Sequence, residues 1–226
     1  MKKKQAAKPT ASLKFEHDLI ARGYRTIVGI DEAGRGAWAG PVSAGAVVLP
    51  LDRDDLPQLL EGVYDSKQLT ASEREALIDA IQSTALAWGV GRAEAGEIDA
   101  LGIVPATCLA MRRAVEQVMA RIEPDFLLLD QIKWPGLPDR RIDYQTVIRG
   151  DSLSLSIAAA SVLAKVARDG WMVEYDALYP GYGFAEHKGY GVPKHQAALR
   201  ELGTSPLHRL SWRPFAQPPL PFEEAE

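Results

Sequence analysis

Four carboxylates stand where apolar runs stop. Asp31 and Glu32 follow "RTIVGI", Asp130 closes "FLLLD", and Asp151 follows "VIRG". Short runs of apolar and β-branched residues read as buried strands, so three strands lead into acids. In open α/β sheets, sites assemble at the carboxyl ends of neighbouring strands, where the loops diverge and leave a crevice. If these three strands are adjacent, the four acids converge. Crowded carboxylates raise one another's pKa, and a divalent cation relieves the repulsion. An all-oxygen ligand set selects Mg²⁺ or Mn²⁺ over zinc. Side chains alternate along a strand, so Asp31 and Glu32 share one site only if the strand breaks there. Gly34 and Gly36 are expected to supply that break and to let main-chain N–H groups approach a ligand. Arg35 between them is a cation suited to phosphate. Any one of these acids alone reads as a cap or a surface charge; the arrangement as a whole argues for a metal site.

The elements that must position these residues can be read from periodicity. Residues 26–30, 42–49 and 87–94 read as strands, the first two joined as a hairpin by the glycine-rich turn. "TASEREALIDAIQSTA" opens on Thr70 with Glu73 three residues later, a capping-box pattern ahead of helical spacing at Leu77, Ile78 and Ile81. Residues 103–122 form a second helix, stopped before Pro124. "FLLLD" and residues 144–148 are short strands, and the strand-helix-strand order implies parallel pairing. Residues 152–179 read as mostly helix, with Asp151 placed to cap it, and a short helix lies near 195–202. The expectation is an α/β fold: a mixed five-stranded sheet flanked by helices, with a helical C-terminal region from about residue 152.

Composition narrows the class. The chain has 226 residues, and its hydrophobic fraction of 46% is ordinary for a globular protein. No run approaches the roughly 18 to 20 apolar residues that span a bilayer. "MKKKQAAKPT" is basic but has no long apolar segment behind it, so it does not read as a secretory signal. One cysteine, Cys108, fits a reducing cytoplasm and reads as helix packing in "ATCLAMRRAV". The net charge is −4; setting aside the five lysines of the first fourteen residues and the three acids of "PFEEAE" leaves a body of −6. That balance argues against broad adhesion to nucleic acid, and permits a local basic groove beside an acidic cluster.

Longer motifs go further. "GIDEAGRG" with "AGPV", then "DSKQLT", "EIDALGI", "GDSLSLSIAAASVLAKVARD", "HKGYG" and "HRLSW", in that order, resemble bacterial ribonuclease HII over roughly residues 26–212. The resemblance implies a ribonuclease H-like fold carrying four acids that bind two Mg²⁺ or Mn²⁺ ions during catalysis. It implies hydrolysis of the RNA strand of RNA–DNA hybrids, and incision of DNA 5′ of single embedded ribonucleotides to leave 3′-hydroxyl and 5′-phosphate ends. The family's catalytic and metal-binding quartet falls on Asp31, Glu32, Asp130 and Asp151. Its segment at the ribose 2′-hydroxyl falls on Gly34, Arg35 and Gly36, and its junction-sensing tyrosine on Tyr190. The chain departs from the family pattern at Ala37, Trp38, Gln131, Leu153 and Val192, which bears on the duplex groove and not on the quartet. On this reading residues 1–25 are a basic extension with a first helix, 26–212 the catalytic domain, and 213–226 a proline-rich acidic tail. The expected partners are RNA–DNA hybrid and ribonucleotide-containing DNA, with no membrane and a monomeric enzyme. A replication-clamp contact through the tail is conceivable, though "PFAQPPLPFEEAE" reads equally as a disordered segment.

Lys67 and Lys188 are candidates for backbone phosphate contacts, against the plain reading of solvated loop lysines. Ser161, Lys165 and Arg168 share a helix face that is a phosphate track or an ordinary polar side; Arg168 is expected to pair with Asp169 or Asp176. Trp134 is expected to pack against Pro135, and His187 and His208 to be structural. Two rival functions are a phosphate-binding module, which the missing lysine-hydroxyl ending of a P-loop disfavours, and a related nuclease acting on DNA junctions. Cleavage in Mg²⁺ separates the first, and a DNA duplex with and without one ribonucleotide separates the second.

Overall fold

A computed structural model describes residues 10–64, 66, 69–132, 134, 142–213 and 215. Five strands form one mixed sheet in the order β3-β2-β1-β4-β5. Strands β1 (Ile27–Ala33), β2 (Val42–Val48) and β3 (Ala87–Ala93) pair antiparallel, while β4 (Phe126–Asp130) pairs with β1, and β5 (Asp143–Val147) with β4, in parallel. The hairpin and the parallel pairing are as the sequence predicts. Strand β1 is longer than predicted: it runs through Asp31 and Glu32 without a break, pairing them with Gly45 and Ala44.

Nine helices lie among the described residues: α1 (Lys14–Ala21), α2 (Leu56–Leu59), α3 (Ala71–Thr84), α4 (Ala95–Leu101), α5 (Ile103–Met119), α6 (Gly150–Leu153), α7 (Leu155–Leu178), α8 (Phe184–His187) and α9 (Pro193–Leu202). Helix α3 begins with the expected capping box between Thr70 and Glu73. Alternation along β1 sorts the core into two faces. Val28 and Ile30 pack with Met111 and Val115 of α5, and Ile27 packs with Ile157 of α7. Both helices sit directly on sheet backbone. A Cβ added at Gly45 would stand 2.2 Å from the Ala160 carbonyl oxygen of α7, and one at Gly91 2.1 Å from that of Ala110 in α5. Cys108 is a buried free thiol on α5, as expected. Trp134 is buried in the same core as α5, while Pro135 lies outside the described residues.

The first helix is built into this body. Glu16 is fully buried, and its Oε1 accepts from Ser154 Oγ at 2.6 Å and from Ser156 N at 2.9 Å at the start of α7. Ser154, not Asp151, is the α7 N-cap, accepting from Ile157 N. Asp151 lies one short helix earlier, in α6. Replacing Glu16 by alanine strands these donors, a loss of about 1–3 kcal/mol or more for a charged partner. We expect Glu16→Ala to lower the melting temperature by several degrees and Glu16→Gln, which keeps an acceptor, to lower it less. Equal melting of all three forms by calorimetry would refute the buried cap.

Candidate functional site

The parallel register brings the acids together. Ile30 pairs with Leu129, so Asp31 and Asp130, the next residue on each strand, lie side by side. Asp31 falls on the same strand face as Ile27, toward α7, and Asp151 arrives from α6 just before that helix. One carboxylate oxygen from each of Asp31, Asp130 and Asp151 lies within 4.8 Å of the others, and all three residues are buried. Asp130 Oδ1 accepts from Gly150 N at 2.7 Å, which ties the end of β4 to the start of α6.

Because β1 does not break, Glu32 leaves on the opposite face. Its Oε1 pairs with Arg35 Nη1 at 3.1 Å, and it still lines the same cleft from the strand end. The quartet predicted from sequence is therefore three aspartates in mutual reach, with Glu32 beside them.

Burial raises the Asp31 carboxyl well above its usual range, and the charges of Glu32 and then Asp130 add to the rise; the Ser161 hydroxyl and the Glu32 N–H oppose it. Asp31 Oδ1 accepts from Glu32 N at 2.7 Å, whereas its Oδ2 is buried without a hydrogen-bond partner. An orphaned anionic oxygen among like charges is costly unless a cation meets it. Three aspartates, all oxygen donors, fit a hard divalent cation such as Mg²⁺ or Mn²⁺ and do not suit a thiophilic metal.

The cleft around this cluster holds about 580 Å³. Gly34, Arg35, Gly36 and Tyr190 line its rim, as do three cations, Arg74, Arg149 and Lys165. Gly34 has φ +88°, and a Cβ there would strike the Arg168 side chain. Gly36 has open space around it, so only Gly34 is required as glycine by the backbone and its neighbours. Ser161 hydrogen-bonds Ser66 at 2.8 Å. Burial lowers the Lys165 pKa, against the pull of Asp169, to which its Nζ donates at 2.6 Å. Lys188 sits outside the cleft lining, with Nζ donating to the Ala185 carbonyl. Lys67 lies outside the described residues.

Two buried arginines hold the glycine-rich turn, and sequence reading misplaced one and missed the other. Arg168 does not pair with Asp169 or Asp176 on a polar face. It is fully buried and donates to the carbonyls of Pro41 and Lys188 at 2.9 Å and of Ala39 at 3.3 Å. Arg209 donates to the carbonyls of Gly34 and Arg35 at 2.8 Å and to that of Gly40. Burial, then the neighbouring Arg168 charge, pushes its pKa down to about 9, still protonated at neutral pH. The signal for Arg209 was present in "HRLSW", but nothing in sequence says that an arginine will serve carbonyls instead of a carboxylate.

Comparison with known proteins places the chain among ribonucleases H. A family profile described as Ribonuclease HII matches residues 28–214. The chain is 55% identical to the Ribonuclease HII of Geobacter sulfurreducens over 199 residues, covering 88% of this chain and 87% of that one. Among solved structures, the ribonuclease H2 of Pyrococcus horikoshii OT3 superposes with a TM-score of 0.69 at 25% identity, over 84% of this chain and 95% of that one. Bst-RNase HIII, solved in complex with Mn²⁺, shares the fold with a TM-score of 0.64 at 21% identity, over 85% of this chain and 68% of that one.

Proposed function

Since the chain belongs to the ribonuclease HII family and is a metal-dependent endoribonuclease of the ribonuclease H type, we propose that it cuts the RNA strand of RNA–DNA hybrids and incises DNA 5′ of a single embedded ribonucleotide. The products are a 3′-hydroxyl and a 5′-phosphate. The observation that carries this reading is the cluster of three buried aspartates in a cleft rimmed by Gly34, Arg35, Gly36 and Tyr190.

Asp31, Asp130 and Asp151 would hold divalent cations, Mg²⁺ or Mn²⁺, with Glu32 completing the set from the other strand face. Two ions bound there would lower the pKa of an attacking water and offset charge on the scissile phosphate and the leaving 3′-oxygen. The chain's own part is positional. Gly34, with positive φ and pinned through its carbonyl by Arg209, brings main chain close to where a ribose would lie. Arg35 and Gly36 complete that contact with the 2′-hydroxyl, and Tyr190 packs on the sugar or base step at the RNA-to-DNA junction. Lys165 and Arg149 offer charge to the backbone phosphates at the cleft, with Lys67 and Lys188 as contacts farther out. Residues 26–212 act as one catalytic domain, monomeric and cytoplasmic.

Cleavage of a duplex carrying one ribonucleotide, with and without Mg²⁺, beside an all-DNA duplex of the same sequence, tests the reading. Incision of the all-DNA duplex at a similar rate would favour the junction-nuclease alternative. With metal chelated, we expect modest hybrid affinity that falls steeply as salt rises, because a body of −6 leaves binding to a few local cations. Salt-insensitive binding in chelator, measured by fluorescence anisotropy, would contradict it.

A further inference from the structure

Tyr190 sits 37% exposed on the cleft rim, on a segment that has no helix or strand of its own. Its backbone is held from behind by two buried histidines. His195 Nδ1 lies 3.1 Å from the Tyr190 carbonyl, His195 Nε2 lies 3.0 Å from His208 Nε2, and His208 Nδ1 lies 2.8 Å from Ser205 N.

The proton positions along this chain are forced. Ser205 N–H can only donate, so His208 Nδ1 must accept. The Ser205 carbonyl, 3.2 Å away, is the other partner in reach, but a proton on Nδ1 would then face the amide hydrogen at the shorter distance. The Ser205 hydroxyl, 2.9 Å from the same nitrogen, can donate to it as well. His208 therefore carries its proton on Nε2 and donates it to His195 Nε2. His195 in turn carries its proton on Nδ1 and donates it to the Tyr190 carbonyl. Reversing any link sets two donors or two acceptors face to face. Both rings are buried, and burial lowers both pKa values, that of His195 to about 4, so both are neutral at pH 7. His187 stacks on His195 with ring centres 4.5 Å apart, and its own nitrogens face the Tyr182 carbonyl and Gly189 N.

We propose that the chain Ser205–His208–His195–Tyr190 is a one-directional hydrogen-bond relay that fixes the height of Tyr190 over the cleft, making His195 and His208 positioning residues for junction selection. The inference rests on the reading of Tyr190 as the junction contact. The neighbouring anchors fit it: Gly189 O accepts from Trp38 N at 2.8 Å, and Arg168 donates to the Lys188 carbonyl, so this segment is fixed from both sides. The relay adds the hold on Tyr190 itself.

Two measurements test it. Long-range ¹⁵N–¹H spectra of the intact protein at neutral pH should show His195 protonated on Nδ1 and His208 on Nε2; a proton on His195 Nε2 breaks the relay and overturns the proposal whatever the variants do. The second is the ratio of cleavage at a single embedded ribonucleotide to cleavage of a long hybrid. His195→Phe keeps the ring but offers no donor, and we expect the ratio to fall by about tenfold, in line with small misplacements at reacting groups. His195→Asn, whose amide nitrogen replaces Nδ1, should restore most of it. A folded His195→Phe with the parent's ratio overturns the relay. If Tyr190→Ala also keeps the parent's ratio, the failure lies with the Tyr190 reading; if Tyr190→Ala alone shifts it, the failure lies with the relay.

Discussion

Asp31→Asn is expected to abolish cleavage in Mg²⁺, by about a thousandfold or more, while the metal-free protein melts higher than its parent. The two effects have one cause. Asp31 contributes an orphaned, buried oxygen to a cluster in which Glu32 and Asp130 already press on its charge. On the proposed reading, loss of that ligand would weaken the hold on a cation whose stabilisation of the reacting phosphate would supply several kcal/mol. Removal of the charge also removes the cost of burying it, and with it the repulsion from Glu32 and Asp130, that the folded state carries when no cation is bound. The sign follows from linkage. The folded pKa of Asp31 is raised, so its favourable contribution is complete below the ordinary carboxylate range of about 4 and is lost as pH climbs through the raised value. The advantage of Asp31→Asn in chelator should therefore be widest at neutral pH and shrink as the solution is acidified toward the ordinary range. Asp130→Asn should follow the same pattern in activity, with a smaller gain in stability because its carboxylate accepts from Gly150 N. Turnover near the parent's in a folded Asp31→Asn would remove Asp31 from the metal site; melting scans in chelator at two pH values check the rest.

Tyr190→Ala is expected to stay folded and lose cleavage at a single embedded ribonucleotide by about a hundredfold, with a smaller loss on long hybrids. A long hybrid offers many registers, so a missing junction contact matters less there. The ring is part exposed and lies over the Arg168 guanidinium at 5.5 Å, so truncation should fall short of the roughly 3–5 kcal/mol typical of a buried aromatic. The glycines beside it are not free to change: Gly189 has φ +78° with its Cβ position against Ala39, and Gly191 lies against the Trp38 ring. Tyr190→Phe separates stacking from hydrogen bonding. A variant that melts far below the parent, or that cuts both substrates in the parent's ratio, would leave discrimination to Gly34, Arg35 and Gly36 alone.

Most of the sheet was legible because its signals are local. The antiparallel strands β1 to β3 and the "FLLLD" strand follow from apolar runs and turns, and α3 announces itself through Thr70 and Glu73. That Asp31, Asp130 and Asp151 follow apolar runs could be read the same way, although only Asp130 ends a strand: β1 runs on past Asp31, and Asp151 lies in α6. What could not be read was orientation. The glycines after Glu32 suggested a broken strand, yet the ladder to Gly45 and Ala44 outweighs them, and pairing carries β1 on to Ala33. Alternation then parts Asp31 from Glu32. Arg168 showed the same limit: helical spacing gave its face, but not that the face is covered by the turn of residues 34–41 and the Lys188 segment. Glu16 was invisible for a similar reason, because its partners lie some 140 residues away at Ser154 and Ser156.

The wide spacing of the three aspartates along the chain has a consequence for synthesis. Asp31 leaves the ribosome early with Glu32 beside it and a β1–β2 hairpin that can pair locally, but Asp130 reaches it only when β4 docks on β1 in parallel, and Asp151 is placed only when α7 lies down across Gly29 and Gly45. The chain is synthesised N-terminus first at roughly 5–20 residues per second, and non-local parallel pairing is slow. A nascent chain that stops before α6 and α7 therefore lacks Asp151 in its place, and the three-aspartate cluster is not yet closed. The aspartate cluster is therefore completed only once most of the chain has been made.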